Sequence, residues 1–401
     1  MSTVERTATR IRGFESGELD FQLMRSLGAA ASGGTPGEIF HAIAGIGEDP
    51  YAWPPAFEAL ARRVDAAGQE ATDKGRRVSG CEHFLRASMY WRAAEYFTDP
   101  FQPASRMRGL ASRASFSKAA ALSGDRIEAV EIPFEGIRLP GYFMAPARGG
   151  NGRTLLVLTG FDGTGEELYF ETAQAGLVRG FNILVAEGPG QAGTLRLYPD
   201  LHFRPDYEKP IAAMIDFALA RPEVDAARLG LYGISFGGYF ATRGAEHDHR
   251  VRALVVNSPI PDLHAYMLGF VGGAAMVEKL PPLPLSAVDD IPDSEMPRTS
   301  KLSFKASCRR FGVDSIQGWF AALTGFTAVA DLGRITCPSL AMVGTGEGKE
   351  SMAQFETFCN AVSGPVTRRI FTVEEGADMH CQIGNLPLSN AVIYDWLMDV
   401  L

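Results

Sequence analysis

A serine between two glycines, in Gly233-Ile234-Ser235-Phe236-Gly237, is the feature of this sequence best suited to chemistry. An apolar segment, residues 228–232, precedes it, and a helical segment, residues 236–246, follows it. This pattern predicts a strand that turns sharply into a helix, with glycines that let the two elements approach closely. On such a turn the serine takes strained backbone angles and exposes its hydroxyl above the sheet, at the positive N-terminus of the helix. We therefore predict that Ser235 is a nucleophile.

A serine hydroxyl is a poor nucleophile until a positioned base takes its proton, and in sites of this kind the chain order is serine, acid, histidine. His264 and His380 are the two histidines well beyond Ser235. His380 follows the last predicted strand, in a strand-end loop where the base belongs. His264 instead begins a segment that interrupts the pattern of strands and helices. We therefore predict that His380 is the base.

The acid is expected in the loop after residues 339–343, which reads Gly344-Thr345-Gly346-Glu347-Gly348-Lys349-Glu350. Glu347 lies between glycines at the strand end and can point back at an imidazole. Glu350 is better placed to begin the next helix, where a carboxylate suits the N-terminal dipole. We favour Glu347 as the acid and keep Glu350 as the alternative.

An oxyanion hole needs two backbone N–H groups directed at the oxygen on which negative charge develops. Phe236, the residue after the nucleophile, is expected to supply one of them. The loop after the first central strand, residues 159–165, is rich in glycine, and we choose Phe161 as the second donor. Asp162 is expected to orient this loop or to contact substrate, with a local hydrogen bond in a turn as the alternative.

Residues 126–401 contain the strands and helices expected to position these groups. After a hairpin at 126–146, short apolar segments alternate with helical ones. The predicted strands are residues 154–159, 182–186, 228–232, 251–257, 339–344 and 369–373. The predicted helices are residues 166–178, 205–220, 236–246, 351–362 and 389–401. Buried strands with helices between them indicate a mostly parallel, doubly wound α/β sheet. We assign residues 126–401 to a catalytic domain with this fold.

Two regions depart from this alternation. Residues 1–125 are predicted to form a helical domain, whose aromatic residues Tyr90, Trp91 and Tyr96 either pack in its core or line a ligand pocket. Residues 260–335 are an insertion that contains a proline-rich run at 280–284. We expect this insertion to form part of a lid over the strand ends, with a structural loop free of ligand contacts as the alternative.

The composition of the 401 residues excludes several classes of function. A formal net charge of −9 argues against a nucleic-acid partner, which needs a basic face. Five cysteines without paired spacing, and no apolar stretch as long as a membrane span, indicate a cytoplasmic protein with free thiols and no anchor. The glycine clusters match neither a dinucleotide fingerprint nor a phosphate loop, and no metal-ligand motif occurs, so we expect cofactor-free chemistry.

Four stretches together resemble one branch of the α/β-hydrolases, namely residues 160–167, 188–191, 233–237 and 375–382. That branch contains 2,6-dihydroxypseudooxynicotine hydrolase and the fungal pigment hydrolases that shorten polyketide chains, with prolyl-oligopeptidase-like esterases as more distant relatives. The resemblance covers nearly the whole chain and implies an α/β-hydrolase fold with an N-terminal helical cap domain. It also implies a triad of Ser235, His380 and Glu347, with glutamate in place of the family's usual aspartate.

The resemblance further implies hydrolysis of a carbon–carbon bond next to a ketone, or of an ester, between cap and core. We therefore expect an enzyme that acts on a small aromatic or polyketide-like carbonyl compound. Either Ser235 attacks the carbonyl, or His380 activates water while Ser235 polarises the substrate. An acyltransferase or cyclase with the same triad is one alternative, and a non-catalytic ligand sensor is another. The identity of the substrate and the oligomeric state, including a homodimer, stay open.

Overall fold

The computed structural model of the chain describes residues 13–28, 33–278 and 283–401. The first twelve residues of the predicted helical domain, and residues 280–282 of the proline-rich run, lie outside the described residues. Before residue 126 the described elements are five helices: α1 (Gly17–Gly28), α2 (Pro36–Ile43), α3 (Trp53–Asp73), α4 (Arg77–Tyr96) and α5 (Pro103–Leu122). We call this helical part the cap.

The sequence of the cap explains where its helices begin and how they pack. Helices α2, α3 and α5 each carry proline in the first turn, where the missing N–H costs nothing and the fixed φ suits a helix. An apolar core joins the cap helices, and in it the Trp53 ring stacks on the Phe57 ring with centroids 4.5 Å apart. The cap therefore has a hydrophobic core of its own.

Eight strands form one sheet in the second part of the described chain. They are β1 (Arg126–Phe134), β2 (Ile137–Ala145), β3 (Thr154–Leu158), β4 (Asn182–Ala186), β5 (Leu229–Ile234), β6 (Ala253–Asn257), β7 (Ser339–Gly344) and β8 (Val366–Phe371). Their order across the sheet is β1-β2-β4-β3-β5-β6-β7-β8. The strand pairs β1–β2 and β2–β4 are antiparallel, and the other neighbours are parallel. Strands β3 to β7 are buried at every position, because layers of side chains cover both faces.

The helices of this second part are α6 (Gly165–Leu168), α7 (Gln174–Leu177), α8 (Ala192–Leu197), α9 (Glu208–Leu219), α10 (Gly237–His247), α11 (Leu263–Phe270), α12 (Ala274–Val277), α13 (Arg298–Phe311), α14 (Ile316–Leu323), α15 (Lys349–Ala361) and α16 (Leu386–Val400). Helices α11 to α14 lie within the predicted insertion, so the described part of that segment is largely helical. Hydrophobic side chains of α14 pack on the main core of the sheet.

Several predicted elements differ from the structure by up to three residues at an end, and in addition one strand is shifted as a whole and one helix is divided. The last strand spans Val366–Phe371 instead of residues 369–373, because it is an edge strand whose partly exposed side chains give no apolar pattern at its start. The helix predicted at 166–178 is divided into α6 and α7 by a π-helical segment, Tyr169–Ala173. Neither difference moves the ends of β3, β5 and β7, whose carboxyl ends meet at one edge of the sheet, where ligands of open α/β sheets bind.

Candidate active site

Ser235 lies in a tight turn between β5 and α10. Its φ is +58°, in the left-handed region that non-glycine residues rarely adopt and that costs on the order of 1–3 kcal/mol. The turn requires glycine at Gly233, because an added Cβ would lie 1.9 Å from the Gly237 carbonyl oxygen. An added Cβ at Gly237 would in turn lie 2.6 Å from the carbonyl oxygen of Leu158 in β3. The sequence pattern thus holds the serine in a strained, well-defined position.

The structure brings Ser235, His380 and Glu347 into one hydrogen-bonded chain. The Ser235 Oγ lies 2.8 Å from His380 Nε2, and His380 Nδ1 lies 2.5 Å from Glu347 Oε2. Because a carboxylate is an acceptor, Nδ1 is assigned the proton and Nε2 accepts from the serine hydroxyl. This is the geometry in which an imidazole can take the serine proton and a carboxylate can stabilise the resulting imidazolium.

Glu347 is held by groups other than the histidine. The Ser258 hydroxyl donates to its carboxylate at 2.6 and 2.8 Å, and the Gly344 N–H donates to Oε1 at 2.8 Å. The Glu347 side chain is 1% exposed, whereas that of His380 is 13% exposed. Ser258 was missed by sequence reasoning; the available signal was its position immediately after β6, at the edge of the sheet where the other site residues lie.

The two alternatives left open by the sequence lie elsewhere. Glu350 is in the first turn of α15, where its Oε1 accepts from Gln354 Nε2 at 2.8 Å. His264 is in α11, with its ring centroid 6.4 Å from that of Phe320. The hydrogen-bonded chain from Ser235 therefore includes neither of them.

The two predicted oxyanion donors belong to segments that meet beside Ser235. An added Cβ at Gly160 would lie 2.7 Å from the Ser235 Cβ and 3.0 Å from the Phe236 nitrogen, so the loop of residues 159–165 touches the turn at Ser235. Within the described part of the chain, neither the Phe161 nor the Phe236 N–H donates a hydrogen bond to protein. Both amides are thus available to a ligand oxygen.

The loop of residues 159–165, which we call the oxyanion loop, is held from both sides. Gln191 Nε2 donates to the Thr159 carbonyl oxygen at 2.7 Å. From the cap, Arg92 Nη2 donates to the Asp162 carbonyl oxygen at 2.6 Å, and Arg25 Nη1 donates to the Asp162 carboxylate at 2.7 Å. The carboxylate of Asp162 is therefore already bonded to Arg25 of the cap. Sequence reasoning missed Arg25 and Arg92, because arginines on a helix read as surface residues.

Further buried ion pairs cross between the cap and the sheet part. Glu167 of α6 contacts Arg92 at 2.8 Å and Arg25 at 3.0 Å, and Arg196 of α8 pairs with Glu95 of α4. Burial opposes the ionisation of Asp162, but the charges of Arg25 and Arg92 outweigh it and lower the pKa of this carboxyl. The cap is thus bound to the oxyanion loop mainly by charge-assisted hydrogen bonds.

The pKa values of two neighbouring carboxyls, those of Glu171 and Glu187, are raised instead. Burial raises the pKa of Glu171 to about 7, and Glu167 and Asp162 add to the rise. Burial, with the charge of Glu166, raises the pKa of Glu187 to about 7. The buried network therefore holds more carboxyl groups than its arginines neutralise.

Replacing Arg92 with methionine is expected to lower the free energy of unfolding by about 3 kcal/mol, because it leaves buried carboxylates short of a partner. The side chains of Arg92 and Glu167 are 5% and 4% exposed. Urea unfolding of R92M beside R368M measures the effect. Arg368 forms an exposed ion pair with Glu356, so R368M should change the free energy by less than about 1 kcal/mol. An R92M protein as stable as R368M would contradict this account of the network.

Tyr90 and Trp91, predicted as substrate contacts, lie instead in the core of the cap. Tyr90 is 1% exposed and donates from its hydroxyl to Glu38 Oε2 at 2.7 Å. Trp91 is 5% exposed, and the Arg62 guanidinium lies 5.0 Å from its ring centroid. The structure does not bring them to Ser235, and we correct their assignment to packing residues, because a helix face buried by its own neighbours has no surface left for a ligand.

The described residues show neither a cluster of metal ligands nor a helix suited to span a membrane. Among them, no three side chains of His, Cys, Asp or Glu cluster as metal ligands. No described helix combines the length and the apolar character needed to cross a membrane.

Comparisons with known proteins assign the chain to a family. The alpha/beta hydrolase xenA of Xenoacremonium sinensis is 33% identical over 364 residues, which cover 83% of each chain. The chain therefore belongs to the α/β-hydrolase family, and it is an enzyme. Hydrolase ORFZ of Pyricularia oryzae is 37% identical over 265 residues, and 20-hydroxy-prefusarin hydrolase FUS2 of Gibberella moniliformis is 34% identical over 255. The matched regions are 62% of ORFZ and 60% of FUS2, less than two thirds of either protein. No protein-family model matches the chain.

Solved structures agree on the fold. The crystal structure of the 2,6-dihydroxy-pseudo-oxynicotine hydrolase matches with a TM-score of 0.74 at 20% identity, over 94% of this chain and 95% of that one. Wild-type AbyA5 matches with a TM-score of 0.64 at 16% identity, over 96% and 94%. The predicted fold class and the predicted resemblance to these hydrolases are both confirmed.

Proposed function

We propose that this α/β-hydrolase is a cofactor-independent serine hydrolase that cleaves a carbon–carbon bond next to a ketone, or an ester, in a small aromatic or polyketide-like molecule. The observation that carries the proposal is the continuous hydrogen-bonded chain from Ser235 Oγ through His380 to Glu347. The names of two similar proteins support the substrate class: one is a 20-hydroxy-prefusarin hydrolase, and the other acts on 2,6-dihydroxy-pseudo-oxynicotine.

In the proposed reaction the Ser235 oxygen attacks the substrate carbonyl while His380 Nε2 takes the hydroxyl proton. The oxygen that becomes negative accepts from the Phe161 and Phe236 N–H groups. The bond from the carbonyl carbon to the leaving carbon or oxygen then breaks, and His380 returns the proton to that atom. Water attacks the acyl-serine with His380 again as base, which releases a carboxylic acid and restores the hydroxyl of Ser235.

Glu347 acts through His380 in this scheme. Its carboxylate keeps the Nδ1 proton in place and stabilises the imidazolium that forms in each half-reaction. The hydroxyl of Ser258 and the N–H of Gly344 fix the carboxylate of Glu347 beside the imidazole. They thereby position a side chain that is one methylene longer than that of aspartate. Ser258 is thus a positioning residue.

A matched pair of substrates tests which bond breaks. We expect the purified protein to convert 1-phenyl-1,3-butanedione and water into benzoic acid and acetone, or into acetophenone and acetic acid. Phenyl acetate, which would give phenol and acetic acid, is the ester comparison. Chromatography of the products distinguishes the two activities, since turnover of the ester alone would restrict the proposal to an esterase. Failure to convert either compound, in a folded protein, would contradict the proposed function.

A further inference from the structure

A cavity of about 150 Å³ lies where the cap, the oxyanion loop and α13 meet. This is well above the roughly 10–15 Å³ that one water molecule needs, so the space can hold several waters or one small organic molecule. Phe161 and Asp162 of the oxyanion loop line it, together with Tyr96 of the cap and Arg309 and Arg310 of α13. Ser235, His380 and Glu347 are not among its lining residues, so the cavity is separate from the proposed triad.

Like Arg309, Arg310 lines this cavity without a carboxylate partner among the described residues. Its Nη1 donates to the Gly190 carbonyl oxygen at 3.0 Å, and its guanidinium lies 5.0 Å from the Phe161 ring centroid. Among the residues that the structure describes, it forms no ion pair. Burial lowers the pKa of Arg310 to about 10, although Asp162 and Glu95 attract the charge from farther away. A guanidinium with five N–H donors, held by one neutral acceptor, has room for a further partner.

The carboxylates around Arg310 already form ion pairs with other arginines. Asp162 pairs with Arg25 at 2.7 Å, and Glu95 pairs with Arg196 and lies 3.5 Å from Arg92. Five arginines and three carboxylates line the cavity: Arg92, Arg106, Arg196, Arg309 and Arg310, with Glu18, Glu95 and Asp162. The side chains that line the cavity therefore include more arginines than carboxylates, although Glu167 and Glu166, outside the lining, pair with Arg92 and Arg196.

We propose that this cavity binds the carboxylate of a small organic acid, with Arg310 as the residue that grips it. The planar guanidinium matches a carboxylate through two parallel hydrogen bonds. The rings of Phe97 and Phe161 and the side chain of Leu302 offer an apolar wall for the rest of the molecule. The acid is either the charged end of the substrate or a separate small molecule, and in both cases it lies against the oxyanion loop.

Calorimetric titration with benzoate and with benzamide tests the proposal, since the two probes share shape and differ in charge. We expect benzoate to bind the wild-type protein at least about tenfold more tightly than benzamide. The variant R310M should lose this difference, whereas R368M, which alters an exposed arginine, should keep it. Thermal unfolding of R310M should be unchanged or improved, because the substitution removes a buried charge without a carboxylate partner. Equal binding of the two probes, or full benzoate binding by R310M, would overturn the proposal.

A second arm identifies the source of the acid. Benzoate that slows labelling of Ser235 by a fluorophosphonate shares space with the substrate, and the cavity is then a substrate subsite. Benzoate that binds without slowing the labelling occupies a separate site for a small acid. Both results support a carboxylate site at Arg310, and neither depends on which bond the enzyme cleaves.

Discussion

Replacement of Ser235 by alanine is expected to lower turnover by about a millionfold, the loss seen when a serine nucleophile is removed from a triad. The Ser235 Oγ lies 2.8 Å from His380 Nε2, and among the described residues no other hydroxyl bonds to that nitrogen. Substrate binding should survive, because the change removes one oxygen atom. Turnover of the substrates above, measured by product chromatography, checks the expectation.

S117A is the matched control, since the Ser117 hydroxyl bonds to the Arg113 carbonyl oxygen on the exposed side of α5. Its turnover should equal that of the wild-type protein. S235A that keeps turnover within about a hundredfold of the wild type would exclude the acyl-serine route. It would favour the alternative in which His380 activates water and Ser235 polarises the substrate.

Substitution of Glu347 by glutamine is expected to lower kcat by about ten-thousandfold, because an amide cannot keep the Nδ1 proton in place or stabilise the imidazolium. The affected contact is the 2.5 Å hydrogen bond from His380 to Glu347. The fold should persist, since the amide oxygen can still accept from Ser258 or Gly344. Steady-state kinetics and thermal unfolding of E347Q check both statements.

Glu350 supplies the control for this experiment, because it is the next glutamate along the chain, in the first turn of α15, and bonds to Gln354 at 2.8 Å instead of to the histidine. E350Q should retain nearly full activity. A larger loss in E350Q than in E347Q would contradict the assignment of the acid and return it to Glu350.

The sequence predicted the parts of this site that depend on local geometry. The turn at Ser235 follows from two glycines, because a Cβ at either Gly233 or Gly237 would collide with backbone. His380 lies 145 residues from Ser235 in the chain, yet both follow parallel strands of one sheet. Their proximity could therefore be predicted, because the carboxyl ends of parallel strands lie at the same edge. The fold class followed from the same alternation of buried strands and helices.

The remaining features of the site depend on tertiary packing, which the spacing of apolar residues along the sequence does not show. Arg25 and Arg92 read as surface residues of helices, but the structure buries them against the oxyanion loop, where carboxylates from distant segments neutralise them. The sequence left Tyr90 and Trp91 open between core packing and a ligand pocket, and only the packing of the cap helices decides between the two. The start of β8 was misplaced because an edge strand needs no apolar pattern.

Labelling of the folded wild-type protein with a fluorophosphonate, followed by mass spectrometry of its peptides, tests the central claim most directly. The reagent reacts with a serine only when a neighbouring base has activated it. Our account predicts one modified residue, Ser235, and no modification in the S235A protein. A folded protein that stays unlabelled, or that carries the label on another residue, would contradict the proposal that Ser235 is the nucleophile.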